Sequence, residues 1–331
     1  MAELSHSEHP VLVGVGGDSG SGKTTLTAAF YRLVEKRSIS SVCLDDYHSL
    51  DRRERGLVGL TALNPRANNF GQMEEHIWAL KRGESVVKPI YDHSDGTIKG
   101  PDTLTPRAIV VAQGLHPFLV PGIRHAFDLK VWLDPAPDLR LLWKVQRDIA
   151  RRGYTEQQVL AEMEAREPDA AAYIAPQRQY ADLVVHFYRG DPASEMSHLN
   201  VRITQRHTLP RLAFDQELYR SEWVKLELDV VDEDGQRSDL IEIDGRISSG
   251  DARLLEANVK DHMDGVHGPL HRVQPNMLGT YDASQRQRRH SDPLALTQLI
   301  LAHRILSARK SVLLRMTAPD HEGLEGDHHH L

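Results

Sequence analysis

Cysteine is nearly absent from this chain. Cys43 is its one cysteine, so no intramolecular disulfide can form and a reducing compartment is expected. Long apolar runs are missing too, which argues against a membrane span or a membrane partner. Residues 1–10 are polar and the apolar stretch 11–15 is too short for an export core, so a cytoplasmic location is expected. Positive charge is not in excess: the net charge of −7 speaks against a general nucleic-acid partner, and basic clusters are read as local sites. No internal repeat or long low-complexity linker divides the 331 residues, and a hydrophobic content of 40% can fill one large α/β domain or two modest ones. Residues 318–331 are polar, include His328, His329 and His330, and are expected to be a disordered, solvated tail.

What is present is sharper. Gly17-Asp18-Ser19-Gly20-Ser21-Gly22-Lys23-Thr24 fits the phosphate-loop pattern G-x-x-x-x-G-K-[ST] in full. A short apolar run at 11–15 precedes it and predicts a buried strand. Leu26, Ala29, Phe30, Leu33 and Val34 follow at helical spacing. Strand, glycine loop and helix is the context in which backbone N–H groups converge on phosphate oxygens. Lys23 can reach the β- and γ-phosphates, and the Thr24 hydroxyl can join a Mg²⁺ shell.

Further strands are predicted at 41–44, 108–112, 129–134 and 183–187. The 41–44 run ends on Asp45-Asp46-Tyr47-His48, which places a carboxylate at the carboxyl end of a strand, where α/β folds bind ligands. Arg52, Arg53 and Arg55 follow and read as a basic cluster on a loop. A helix is predicted over 73–81, and residues 88–93 lead into a polar turn at 94–96. Between the last two strands a helical pattern places Arg140, Lys144, Arg147 and Arg151 on one stripe beside an apolar face. Strand–helix alternation to residue 190 predicts an α/β fold with a mostly parallel sheet flanked by helices. Beyond it, residues 191–209 read as irregular, 223–231 and 240–244 as strands, and 252–262 and 293–314 as helices. We therefore divide the chain into a core at 1–190, a C-terminal α+β extension at 191–317 and the tail at 318–331. Arg286, Arg288, Arg289 and His290 read as an exposed loop charge run.

Several of these stretches occur together in one order. Val42-Cys43-Leu44-Asp45-Asp46-Tyr47-His48-Ser49-Leu50-Asp51-Arg52, Thr61-Ala62-Leu63-Asn64-Pro65-Arg66-Ala67-Asn68, Lys88-Pro89-Ile90-Tyr91-Asp92-His93, Gly114-Leu115-His116-Pro117 and Trp143-Lys144-Val145-Gln146-Arg147-Asp148 resemble the phosphoribulokinases, closest to the plant and cyanobacterial type, within the uridine kinase-like P-loop kinases. The likeness is strong to about residue 190 and looser beyond. It implies a P-loop kinase fold and ATP-dependent phosphorylation of the 1-hydroxyl of ribulose 5-phosphate, the step that supplies carbon fixation. It implies ATP binding by Gly17, Asp18, Ser19, Gly20, Ser21, Gly22, Lys23, Thr24 and Thr25, with Mg²⁺ held by Thr24 and Gln113. It implies catalysis by Asp45, Lys23 and Asp148, and binding of the sugar phosphate by His48, Arg52, Tyr91, His93, Lys144, Arg147 and Arg152. A homodimer and a mobile lid after Arg147 are expected on the same ground. A kinase for another sugar phosphate or a nucleoside, or a non-catalytic nucleotide-binding regulator, remain alternatives.

Two departures matter. Gln113 stands where the family usually has Glu, so the position brings no charge to a metal. Ser21 stands where plant-type enzymes carry a phosphate-loop cysteine, while Cys43 matches their second regulatory cysteine. The single thiol leaves no intramolecular redox switch.

Overall fold

The computed structural model describes residues 9–34, 36–191, 198–211, 221–267, 278–284 and 287–317. Its centre is β1 (Val11–Gly16), buried at every position. Both faces of β1 are covered, which is why it reads as a continuous apolar run rather than an alternation. The covering is close: a Cβ on Gly16 would lie 2.5 Å from the Trp132 ring, and one on Gly14 would lie 2.6 Å from Phe118. After the glycine loop come two short helices, α1 (Lys23–Ala28) and α2 (Phe30–Leu33), where the sequence predicts one.

β2 (Ile39–Cys43) runs into a 3₁₀ turn over Leu44–Tyr47. Then follow α3 (Arg52–Leu57), α4 (Phe70–Lys81) and a hairpin of β3 (Val86–Asp92) and β4 (Thr97–Leu104). β5 (Ile109–Gln113), α5 (Pro121–Arg124), β6 (Leu129–Leu133), α6 (Pro137–Arg152), α7 (Glu156–Asp169) and β7 (Leu183–Tyr188) complete the first half. The second half carries β8 (Asn200–Arg206), β9 (Val224–Val231), β10 (Arg237–Ile243), α8 (Ser249–His267), the hairpin β11 (Thr280–Ser284) and β12 (Gln287–His290), and α9 (Asp292–Thr317).

One sheet of eight strands holds both halves, in the order β2-β5-β1-β6-β7-β8-β10-β9. The first five are mutually parallel, and β8, β10 and β9 continue the sheet antiparallel. The boundary expected at 190 thus falls between two hydrogen-bonded neighbours, β7 and β8. One apolar cluster joins Val13 and Val131 to Val201, Leu255, Leu299 and Ile305, so the extension shares its core with the first half. Among the described residues, no helix is long and apolar enough to cross a membrane.

Several local expectations are corrected. Residues 191–209 are not irregular throughout: in β8, Val201 and Ile203 are buried, as is Arg206, which pairs with Asp232 at 2.9 Å. That buried charge disguised the strand. The Arg52 cluster lies on a helix instead of a loop, because Asp51 and Glu54 form a reciprocal capping box at the start of α3. The polar turn at 94–96 is the bend of a hairpin whose second strand is mostly exposed and so has no apolar signature. Arg288, Arg289 and His290 are exposed as expected but lie on strand β12; Arg286 and the tail 318–331 lie outside the described residues.

Candidate active site

The glycine loop follows β1 at the carboxyl edge of the parallel strands. Gly17, Gly20 and Gly22 take φ of 145°, 86° and 89°, a region that side chains disfavour. Gly20 has a second reason to lack a side chain, since a Cβ would sit 2.8 Å from that of Lys144 on α6. Lys23 folds back and donates from Nζ to the carbonyls of Gly17 at 2.6 Å and Asp18 at 2.9 Å. Burial lowers its pKa against the opposing pull of Asp45 and Asp18. α6 grips the loop: Arg140 pairs with the Asp18 carboxylate, and Arg147 donates to Ser19 Oγ at 3.1 Å.

A cavity of about 360 Å³ opens on one side of this loop. Its lining brings together Lys23, Thr24, Asp45, His48, Arg52, Tyr91, His93, Gln113, Arg147 and Arg152, residues scattered over 130 positions of sequence, 23 to 152. Asp45 sits on the 3₁₀ turn after β2 and accepts from the Leu115 N–H at 3.1 Å. Burial would raise its pKa, but His48, Lys23, His93 and that N–H outweigh it and hold the carboxyl below its ordinary value. Asp46, one residue on, faces away: it accepts from Lys88 Nζ at 2.6 Å and from the Tyr91 N–H at 2.9 Å, which ties the β3–β4 hairpin to the core.

The wall of arginine and histidine is held in place residue by residue. His48 is buried, with Nδ1 2.8 Å from Asn68 Oδ1 and its ring edge-on to Tyr91; burial pushes its pKa down to about 4 despite Asp45. Burial likewise lowers His93. Arg52 donates to the His93 carbonyl at 2.8 Å. Gln113, at the end of β5, accepts from Thr27 Oγ1 at 3.1 Å through its amide oxygen.

Not every expected site residue lines this cavity. Lys144 and Asp148 lie beneath it, 2% and 0% exposed, paired at 2.7 Å. Burial would raise Asp148, but Arg147 at 2.8 Å and Lys144 hold it down at about 2. Arg152 approaches the same carboxylate at 3.5 Å. Conversely, Arg55, Tyr154, Glu162 and Arg166 line the cavity without having been singled out for it. Arg55 is buried, donating to Leu50 O at 2.6 Å and Tyr91 Oη at 2.8 Å. Glu162 and Arg166 form an i,i+4 pair on α7, a polar helix whose pattern gave no strong signal.

A second cavity of about 860 Å³ lies on the other side of the loop. Gly20, Ser21, Gly22, Thr24 and Thr25 form one wall, Trp143 and Phe187 an aromatic one, and Tyr281, Asp282 and Arg288 of the β11–β12 hairpin the outer one. Arg32 donates to Thr280 Oγ1, and Arg151 lies 3.5 Å from Asp282. Ser21 lines this second cavity while Cys43 lines the first.

A parallel sheet led by a glycine loop, with a lysine at the loop and a carboxylate on the next strand's end, defines a P-loop kinase-like protein. The profile of the Phosphoribulokinase / Uridine kinase family matches residues 12–191, more than half of the chain, and the chain belongs to that family. It is similar to the phosphoribulokinase of Synechocystis, 44% identical over 212 residues that cover 62% of this chain and 64% of that one. The chloroplastic phosphoribulokinase of Mesembryanthemum crystallinum is 39% identical over 225 residues, 61% of this chain and 56% of its own. The chain thus spans under two thirds of these relatives' length. A uridine kinase of Lactiplantibacillus plantarum is 32% identical over 194 residues, 56% of this chain and 90% of its own. The solved phosphoribulokinase from Rhodobacter spheroides shares the fold with a TM-score of 0.54 at 19% identity, covering 77% of this chain and 98% of that one.

Proposed function

We propose that this protein is an ATP-dependent kinase that phosphorylates the 1-hydroxyl of ribulose 5-phosphate, giving the 1,5-bisphosphate used in carbon fixation. The observation that carries the reading is the first cavity, where the phosphate loop, a charged carboxylate and a wall of arginine and histidine converge. A nucleoside acceptor has no dianion to neutralise. A sugar phosphate does, and arginine binds phosphate oxygens in two places.

In this reading the second cavity takes the nucleotide, with its base against Trp143 and Phe187 and its phosphates on the loop. Lys23 exchanges its bonds to the Gly17 and Asp18 carbonyls for the phosphates. Asp45 stays ionised at neutral pH and accepts the proton of the acceptor hydroxyl as it attacks. Arg52, Arg147 and Arg152, with His48 and His93, hold the acceptor's phosphate. Asp148 acts through Arg147 and Arg152, fixing both guanidiniums, and Lys144 supports Asp148 from below. The Thr24 hydroxyl and the Gln113 amide oxygen both line the first cavity as hard oxygen donors, a pair that would fit Mg²⁺ with water and phosphate completing its shell. Bound there, Mg²⁺ supplies charge neutralisation on the phosphates. A cytoplasmic homodimer belongs to the same reading.

The match that covers 90% of a uridine kinase keeps one second reading, a nucleoside acceptor. A coupled assay of ATP consumption with ribulose 5-phosphate, other sugar phosphates and uridine separates the two. Turnover with uridine alone would replace our reading with the second; no turnover with any acceptor would remove both.

A further inference from the structure

Three different metal-ligating side chains meet at one edge of the first cavity. Cys43 ends β2, Asp45 sits on the turn that follows, and His93 lies at the bend of the β3–β4 hairpin. The Cys43 Sγ, an Asp45 carboxylate oxygen and an imidazole nitrogen of His93 all lie within 4.8 Å of one another. All three residues line the cavity, so a cation could reach them from solvent and keep an open coordination position on the cavity side.

The ligand types select the ion. Sulfur and imidazole nitrogen suit zinc and its thiophilic relatives, whereas Mg²⁺ takes hard oxygens. Three protein ligands with a fourth position open to solvent is the arrangement of an accessible zinc site. Tetrahedral zinc with bonds of about 2.0–2.3 Å separates its ligand atoms by about 3.5 Å, and the three ligand atoms here lie within 4.8 Å of one another, so any closing movement that ligation needs is small. His93 is exposed at the bend of a hairpin and can supply that movement. Ligation replaces the Cys43 S–H bond with an S–metal bond and releases the proton to solvent. Burial and the Asp45 and Asp46 carboxylates push the Cys43 thiol up, so the ion must displace a firmly held proton; the resulting thiolate and the Asp45 carboxylate then bring two negative charges to it, with Lys23 interacting with both.

We propose that Cys43, Asp45 and His93 form an inhibitory site for Zn²⁺ or a similar thiophilic divalent cation, separate in chemistry from the Mg²⁺ that accompanies the nucleotide. Occupancy takes Asp45 away from the acceptor hydroxyl and draws the hairpin bend across the cavity. The inhibitory consequence rests on the kinase reading above; the metal binding does not.

The test is a Cd²⁺ titration of the full chain followed by ultraviolet absorption. Cys43 is the only thiol, so a thiolate-to-metal charge-transfer band reports this site alone, and the terminal histidines cannot produce it. A band that saturates at one Cd²⁺ per chain, is displaced by Zn²⁺ and ignores excess Mg²⁺ is expected. Cys43→Ser should abolish it. His93→Ala and Asp45→Asn should each weaken Cd²⁺ binding about tenfold or more, since each removes a ligand. Far-ultraviolet circular dichroism checks each variant's fold, and His93→Gln serves if His93→Ala fails to fold. No band, or an affinity unchanged by both the His93 and Asp45 variants, would leave a lone thiol and overturn the site. Zn²⁺ should inhibit turnover over the same concentrations that displace Cd²⁺. Binding without inhibition overturns the inhibitory role, and binding by a protein with no kinase activity upholds the site while removing the function proposed above.

Discussion

Asp45 and Asp46 are adjacent in the chain and meet opposite surroundings, which makes them the sharpest pair to compare. Asp45→Asn should leave the fold and ATP binding intact and lower kcat by about 10²–10⁴, the range of a lost general base. Asp46→Asn should instead unfold the protein more easily. Its partner Lys88 is 8% exposed at the side chain, and removing one member of a buried pair costs about 3–5 kcal/mol. Denaturant unfolding beside steady-state kinetics tells the two outcomes apart; a stable, slow Asp46→Asn would reverse the assignment. Histidine titration sets a pH limit at the same scale. His48 is neutral in the fold down to about pH 4, while an unfolded histidine takes its proton below about 6.5. The unfolded state then binds more protons, so stability is full above about 6.5 and is lost as pH falls toward about 4. Burial lowers His93 and His116 in the same direction. Tm should therefore drop across that window, and His48→Gln should reduce the slope; a flat profile would contradict the buried neutral imidazole.

The β3–β4 hairpin is the element that carries Tyr91 and His93 to the cavity, and its bend is fixed by Gly96 and Arg52. Gly96 has φ of 82°, and a Cβ there would lie 2.6 Å from that of Arg52. Gly96→Ala should displace Arg52 and raise the KM for the sugar phosphate about tenfold or more, with the KM for ATP little changed. Equal changes in both would show that the hairpin does not serve the acceptor side. This hairpin was only partly legible in the sequence. Buried strands with continuous apolar runs, such as β1, β5 and β6, were legible, as was the glycine loop with its flanks. β4 was not, because six of its eight residues are exposed and carry no periodic signal. α7 buries only Val159 and was silent for the same reason. In the site, Asp45 was legible from its place after a strand, and so were the arginines of α6. The burial of Lys144 was not, since a helical wheel gives the stripe and not how deeply its rows sink when Gly20 lets the helix approach. Lys144→Met should accordingly lower Tm, and raise the acceptor KM less than Arg147→Ala does, since it reaches the acceptor only through Asp148.

At the scale of the molecule, the sheet binds the two halves of the chain together. A fragment ending at residue 190 would expose the edge of β7, and β1 would lose its packing against α9 within the shared apolar cluster. Such a fragment should be insoluble or bind a hydrophobic dye; a soluble fragment with a sharp melting transition would show that the extension is dispensable for folding. The two cavities are joined as closely as the two halves. Lys23, Thr24, Arg147 and Arg151 belong to the walls of both. A ligand in either cavity therefore restricts side chains that the other ligand needs, and its arrival has already met part of the ordering cost of the second. In the kinase reading proposed above the two equilibria form a closed thermodynamic cycle: whatever factor bound nucleotide applies to the dissociation constant of the acceptor, bound acceptor must apply to that of the nucleotide.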